Sequence, residues 1–249
     1  MFSKIFRGLR NHWPIVVIFL AVLSLFKQNY IPGTFLTGWD NLHPELDFGV
    51  NIQRSIFAVW QEYQGLGLLG GMGHASDLLR QVFLWILSIF LPDNLLRYIW
   101  VFLTLFVGGI GAYALSKFLL DKLGKDEKSI KIFALLGGLF YIFNLATIQT
   151  FHVPFEAFVA HFAFLPWLLL SSISYFMGAG RKSLLFLSII LLIATPAAYI
   201  PTLFVTYIIS ILILVASILI YNFNSQHIKR ALKLSFIIFL VNAFWLLPF

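Results

Sequence analysis

Apolar runs of membrane-spanning length recur along nearly the whole chain, and they constrain its fold more than any other feature. They lie near residues 13–30, 95–120, 132–149, 155–176, 184–199, 201–221 and 234–249. An α-helix needs about 20 apolar residues to cross roughly 30 Å of hydrocarbon, and it satisfies its own backbone hydrogen bonds there. The residues are 60% hydrophobic and 11% charged. We therefore predict an all-α, polytopic membrane protein with about seven transmembrane helices.

The runs leave no room for a separate soluble domain, so residues 1–249 are expected to form a single transmembrane module. The basic start and the apolar Trp13–Phe26 stretch could be taken for a signal peptide. No small-x-small cleavage site follows, which favours an uncleaved anchor. The last run reaches Phe249 without a polar flank, which predicts that the chain is the N-terminal part of a longer protein.

The net charge of +7 comes from Lys and Arg in short clusters between the apolar runs, a pattern that argues against nucleic-acid binding and for membrane topology. One segment, 78–91, leaves two topologies open. Its apolar part would reach only about 20 Å before Pro92 stops it. With a cytoplasmic N-terminus, 13 of the 17 cations lie inside if the segment does not cross, whereas 13 lie outside and only 4 inside if it does. Cytoplasmic loops accumulate Lys and Arg. We therefore predict an interfacial helix at 78–91 and a cytoplasmic N-terminus.

This choice makes residues 31–92 one extracytoplasmic loop that is rich in carboxylates. Between Phe48 and Trp60, apolar and polar residues alternate as in a helix lying on the bilayer surface. Together with 78–91 it gives two interfacial helices, which flank the Gly-rich stretch Gly65–Gly73. Long connections between membrane helices are usually functional. The loop is therefore the predicted active face.

Two carboxylates are candidate catalytic residues. Asp40 follows the first crossing closely, so it could act as a base at the membrane surface; capping the next helix is an equally good explanation. Glu156 opens an apolar helix, where an unpaired carboxylate is costly. It could be catalytic, or it could be stabilised by the helix dipole after Pro154. Glu45 and Asp47 are weaker candidates and are expected to be solvated or helix-start charges.

The outer arginines Arg54, Arg80 and Arg97 could stabilise a phosphate leaving group, although each could instead snorkel toward lipid headgroups. His43 and His74 belong to the same predicted substrate-binding set. Histidines with carboxylates could hold a divalent cation, but no ligand spacing marks a site, so no metal ligands are assigned.

The order of these parts resembles the GT-C superfamily of membrane glycosyltransferases. Within it, the chain is most similar to the N-terminal region of the α-(1→3)-arabinofuranosyltransferases and to the YfhO-like membrane proteins. The similar segments are Trp39-Asp40-Asn41 with Pro44, Trp60 followed by Gly65, Gly67, Gly70 and Gly71, Leu91-Pro92 with Arg97 and Trp100, Phe140–Leu145, Glu156, Leu165–Trp167 and Phe244–Pro248.

The resemblance implies a plasma-membrane enzyme that moves a sugar from a polyprenyl-phosphate donor to an extracytoplasmic glycan or lipid acceptor. It implies Asp40 as the catalytic carboxylate and Glu156 as a second acidic residue. A flippase or transporter of lipid-linked saccharides is an alternative, although few polar residues lie in the crossings. A non-catalytic membrane assembly module is another. No feature points to nucleic acid.

Overall fold

The computed structural model describes residues 12–38, 43–57, 60–61, 65–67, 74–122, 124, 126–178, 180–221 and 223–247. These residues form ten α-helices and no β-strand. The helices are α1 (Trp13–Asn29), α2 (Phe48–Ile56), α3 (Leu78–Ser88), α4 (Asp93–Asp121), α5 (Glu127–Phe143), α6 (Leu145–His152), α7 (Glu156–Phe176), α8 (Gly180–Ile193), α9 (Pro201–Tyr221) and α10 (Ser225–Leu246). Two short 3₁₀ turns, Pro44–Leu46 and Thr195–Tyr199, complete the list.

The described helices include three that are long and apolar enough to cross a membrane on their own, namely α4, α7 and α9. The pair α5 and α6, bent by 44° at Asn144, meets the same criterion as one broken span. Many large apolar side chains point away from the bundle, among them Phe140, Ile213 and Phe236, which are 74%, 62% and 62% exposed. Apolar surface of this extent needs a lipid environment. The protein is therefore a helical membrane protein.

Side-chain caps begin several of the helices. Asp47, Asp126 and Asn144 each accept a hydrogen bond from the backbone N–H three residues further on, at 2.9 to 3.0 Å. Such caps satisfy N–H groups that have no partner within the helix. The break between α5 and α6 thus has a local cause, because Asn144 ends one helix and caps the next.

The long helix α4 lies between α5 and α7 and packs closely on both. A Cβ added to Gly138 would lie 2.9 Å from the Gly109 carbonyl oxygen, and one added to Gly108 would lie 2.3 Å from the Phe162 ring. The small residues therefore permit close helix contact.

Inside α7, Pro166 has no N–H to bond the Phe162 carbonyl one turn earlier. The Tyr141 hydroxyl of α5 donates to that carbonyl oxygen at 2.9 Å instead. This bond matters because a bare carbonyl in hydrocarbon is costly, and it ties α5 to α7.

The bundle has two chemically different ends. At one end, which we call the loop end, α2, α3 and the turn at 44–46 pack beside the first residues of α4 and α7. At the other, the basic end, Arg230 near the start of α10 donates to the Phe176 carbonyl at the end of α7, at 2.6 Å. Lys117 of α4 and Lys182 of α8 line one groove there.

The helix positions follow the sequence predictions closely, with two informative differences. The run 184–199 is divided into α8 and the 3₁₀ turn Thr195–Tyr199, which contains Pro196. The predicted surface segment 78–91 forms α3, whose 11 residues span about 16 Å, roughly half of the hydrocarbon core. Its length therefore agrees with a helix that does not cross.

Candidate functional site

Five charged side chains are buried together at the loop end. They are Glu45, Asp77, Arg80, Arg97 and Glu156, exposed by only 2% to 8%. They come from four places in the sequence: the turn at 44–46, the start of α3, the first turns of α4 and the first residue of α7. We call them the ion-pair cluster. Charged groups seldom lie so deep unless they are paired.

Arg80 is held by two carboxylates. Its Nε and Nη2 donate to the two carboxylate oxygens of Asp77, both at 2.7 Å, in a bidentate pair across one helical turn. Its Nη1 donates to Glu156 Oε1 at 3.3 Å. Burial by itself would lower the pKa of Arg80, but Asp77 and Glu156 together raise it above its ordinary value. Arg80 is therefore a permanent cation.

Glu156 joins the two arginines. Its Oε1 lies 2.9 Å from Arg97 Nη2 and also accepts from Arg80. Arg97 Nε lies 3.2 Å from Glu45 Oε1, and His43 Nδ1 lies 3.1 Å from the same oxygen. A chain of contacts thus connects the first loop, through α4, to α7. In a low-dielectric setting these contacts reinforce one another.

The three carboxylates outnumber the two guanidinium groups, so the cluster carries one excess negative charge when all five are ionised. The second oxygens of Glu45 and Glu156 are buried, and no described group forms a hydrogen bond with either. Glu156 also borders a narrow cleft of about 10 Å³, lined by Asp77, Arg80, Phe155, Pro196 and Tyr199. The cleft therefore lies beside two of the three carboxylates of the cluster, those of Asp77 and Glu156.

Polar contacts extend from the cluster to α2. Gln81 Nε2 donates to Asp77 Oδ2 at 3.1 Å, and Ser55 Oγ of α2 donates to Gln81 Oε1 at 2.9 Å. Ser55 and Gln81 are both buried. The two short loop helices are therefore fastened to each other and to the membrane bundle through one connected set of polar groups.

The structure brings four of the sequence-predicted site residues together: His43, Arg80, Arg97 and Glu156. His74 and Arg54 lie beside this group and are half-buried. The pKa of His74 is lowered, first by burial and then by the positive charge of Arg54, while Asp77 partly opposes the shift. Asp40, the candidate base, lies outside the described residues, three positions before His43.

One expectation was correct only in part, and one residue was missed. Glu45, expected to be a solvated or helix-start charge, does lie in the first turn of the 3₁₀ helix Pro44–Leu46. It is not solvated: it is 4% exposed and belongs to the cluster because Arg97 and His43 approach it. Asp47 does cap a helix, as predicted. Asp77 was not predicted to be a site residue. Its position three residues before Arg80, at a helix start, does indicate an ion pair between the two side chains.

Within the part of the chain that the structure describes, no three His, Asp or Glu side chains converge to hold a metal ion. The protein is thus a helical membrane protein that carries a buried ion-pair cluster at one end of its helix bundle. Comparisons with known protein families, curated proteins and solved structures found no match for this chain.

Proposed function

We propose that this protein is a GT-C-type glycosyltransferase of the plasma membrane. It would move a sugar from a polyprenyl-phosphate donor to an extracytoplasmic glycan or lipid acceptor. The observation that carries the proposal is the ion-pair cluster, which fastens the loop following Asp40 to the starts of α4 and α7. A reaction on a lipid-borne sugar needs its catalytic group held at the membrane surface. The resemblance in the order of parts supports the same assignment.

The proposed topology has seven crossings: α1, α4, the bent pair α5 and α6, α7, α8, α9 and α10. In it, α2 and α3 lie at the outer surface. The basic end faces the cytoplasm by the positive-inside rule, which places the N-terminus inside and the loop end outside. The acidic loop then faces the compartment where a lipid-linked donor would present its sugar.

In the proposed reaction, the acceptor hydroxyl oxygen attacks the anomeric carbon and its proton passes to Asp40. The bond from that carbon to the phosphate oxygen breaks, and the electron pair leaves with the polyprenyl phosphate. Glu156 acts as a positioning residue, because Arg80 and Arg97 already bind its carboxylate. Arg54, which is more exposed than the two cluster arginines, stabilises the leaving phosphate together with His74.

The test is turnover by the full chain reconstituted in liposomes. Undecaprenyl-phosphate and decaprenyl-phosphate sugars, labelled in the sugar, are supplied with a mixed glycan acceptor, and release of polyprenyl phosphate is measured. Asp40→Asn should lose transfer. Asp47→Asn, a change of the same kind in the same loop at a helix cap, should retain it. Equal turnover by wild type and Asp40→Asn would reject the catalytic assignment. Label that crosses the bilayer unconsumed would favour a flippase instead.

A further inference from the structure

A second polar site lies at the basic end, far along α4 from the ion-pair cluster. It is an open groove of about 490 Å³ between α4, α7 and α8. Lys117, Asp121, Ser174, Lys182 and Ser183 supply polar groups, and aromatic rings such as those of Phe118 and Phe186 form its apolar part. A groove that is cationic at one edge and apolar beside it has the chemistry of a lipid-binding surface.

The two lysines differ from two other cations of the same end, Lys131 and Arg230. Lys131 pairs with Glu127 at 2.6 Å, and Arg230 donates to the Phe176 carbonyl. Neither Lys117 nor Lys182 has an ion-pair partner within the described part of the chain. Asp121 shares the groove without neutralising both, so the three groups leave one net positive charge. Two ammonium groups that line one groove and form no ion pair within the described chain are suited to a bound anion.

The serine hydroxyls of the groove also favour a bound anion. In the described helices, Ser171, Ser188 and Ser210 each donate to a carbonyl of their own helix. Ser174 and Ser183 make no such bond within the described chain, although a hydroxyl near the hydrocarbon needs a partner. Lys117, Ser174 and Lys182 come from three different helices, so packing of the bundle, and no local sequence motif, assembles the groove.

We propose that this groove binds the headgroup of an anionic phospholipid from the leaflet at the basic end. The phosphodiester lies between Lys117 and Lys182, the hydroxyls of Ser174 and Ser183 donate to its oxygens, and the acyl chains follow Phe118 and Phe186. The proposal is independent of the proposed transferase activity, because it uses none of the residues of the loop end.

Binding is tested with the full chain in detergent by native mass spectrometry against phosphatidylglycerol and phosphatidylcholine. Wild type should retain phosphatidylglycerol at least tenfold more tightly than phosphatidylcholine. The double variant Lys117→Gln/Lys182→Gln should weaken phosphatidylglycerol binding about tenfold, while Lys117→Arg/Lys182→Arg should preserve it. Lys122→Gln/Lys128→Gln removes two cations of the same end that do not line the groove, and should have no effect.

Equal melting temperatures of the four proteins in lipid-free detergent establish that the variants fold. Soluble glycerol phosphate, supplied in excess, distinguishes a free phosphate site from a lipid site and should not displace the lipid. The proposal is overturned if the glutamine variant binds phosphatidylglycerol as tightly as wild type, if phosphatidylcholine binds equally well, or if glycerol phosphate competes.

Discussion

At the scale of single residues, Glu156 connects the loop to the bundle. Its Oε1 is shared by Arg80 and Arg97, and its side chain is only 10% exposed. Removing one partner from a buried ion pair leaves the others uncompensated, which costs about 3 to 5 kcal/mol. The carboxylate at the start of α7 therefore has a structural role that is independent of any part in catalysis.

Glu156→Gln should lower the free energy of unfolding by about 3 kcal/mol, because Arg80 and Arg97 would then face each other across a neutral amide. Unfolding by SDS in mixed micelles, followed by circular dichroism, measures the change. Glu127→Gln is the matched control: it also replaces the first residue of a helix and breaks an ion pair, but its side chain is 78% exposed. It should alter stability far less. Similar losses in both variants would refute the role of Glu156.

Some residues of the ion-pair cluster could be predicted from the sequence, and others could not. Glu156, Arg80 and Arg97 stand out because a charge beside an apolar run is costly and needs an explanation. Glu45 gave no such signal, since its turn is polar and its partner Arg97 is far away in sequence. Only the packing of the 44–46 turn against α4 buries it. The role of Asp40 in catalysis stays a prediction.

At the scale of helices, close packing depends on where small residues meet. Gly138 of α5 faces the backbone of α4, so an added Cβ would lie 2.9 Å from the Gly109 oxygen. Its neighbour Gly137 faces a side chain, and a Cβ there would lie 2.7 Å from Ser116 Oγ. A side chain can rotate away, whereas a backbone carbonyl inside a helix cannot.

Gly138→Ala should therefore push α5 away from α4 and destabilise the protein by about 1 to 3 kcal/mol. Gly137→Ala should be close to neutral, because rotation of Ser116 relieves the contact and alanine is the better helix former. The midpoint of thermal aggregation in detergent, compared across the two variants and wild type, reports the difference. A Gly137 variant as unstable as the Gly138 variant would contradict the packing argument.

Helix positions were largely predictable because apolar runs of this length have few alternatives in a bilayer. The residues at which helices begin and end were less predictable. The run 132–149 looked continuous, yet Asn144 caps a new helix and bends the span by 44°. α10 begins at Ser225, well before the apolar residues near 234, because Asn224 caps it and its first turns are polar. Side-chain capping sets both of these helix starts, and a capping residue is harder to recognise in a sequence than an apolar run.

At the scale of the whole molecule, one short helix determines the topology. If α3 stays at the surface, the acidic loop, the ion-pair cluster and the starts of α4 and α7 share one side of the membrane, and the lysine-rich segments share the other. If α3 crossed, the lysine-rich segments from Lys117 onward would move to the side of residues 31–77. The proposed extracytoplasmic active face depends on the first arrangement.

Cysteine labelling tests this arrangement most directly, because the chain contains no cysteine. Single cysteines are introduced at Leu66 before α3, at Asp93 after it, and at Phe223 before α10, all of which are exposed. Intact cells or sealed right-side-out vesicles are treated with a membrane-impermeant maleimide. We predict that Leu66→Cys and Asp93→Cys label without permeabilisation, and that Phe223→Cys labels only after it. Labelling of Leu66→Cys and Asp93→Cys from opposite sides would contradict the account.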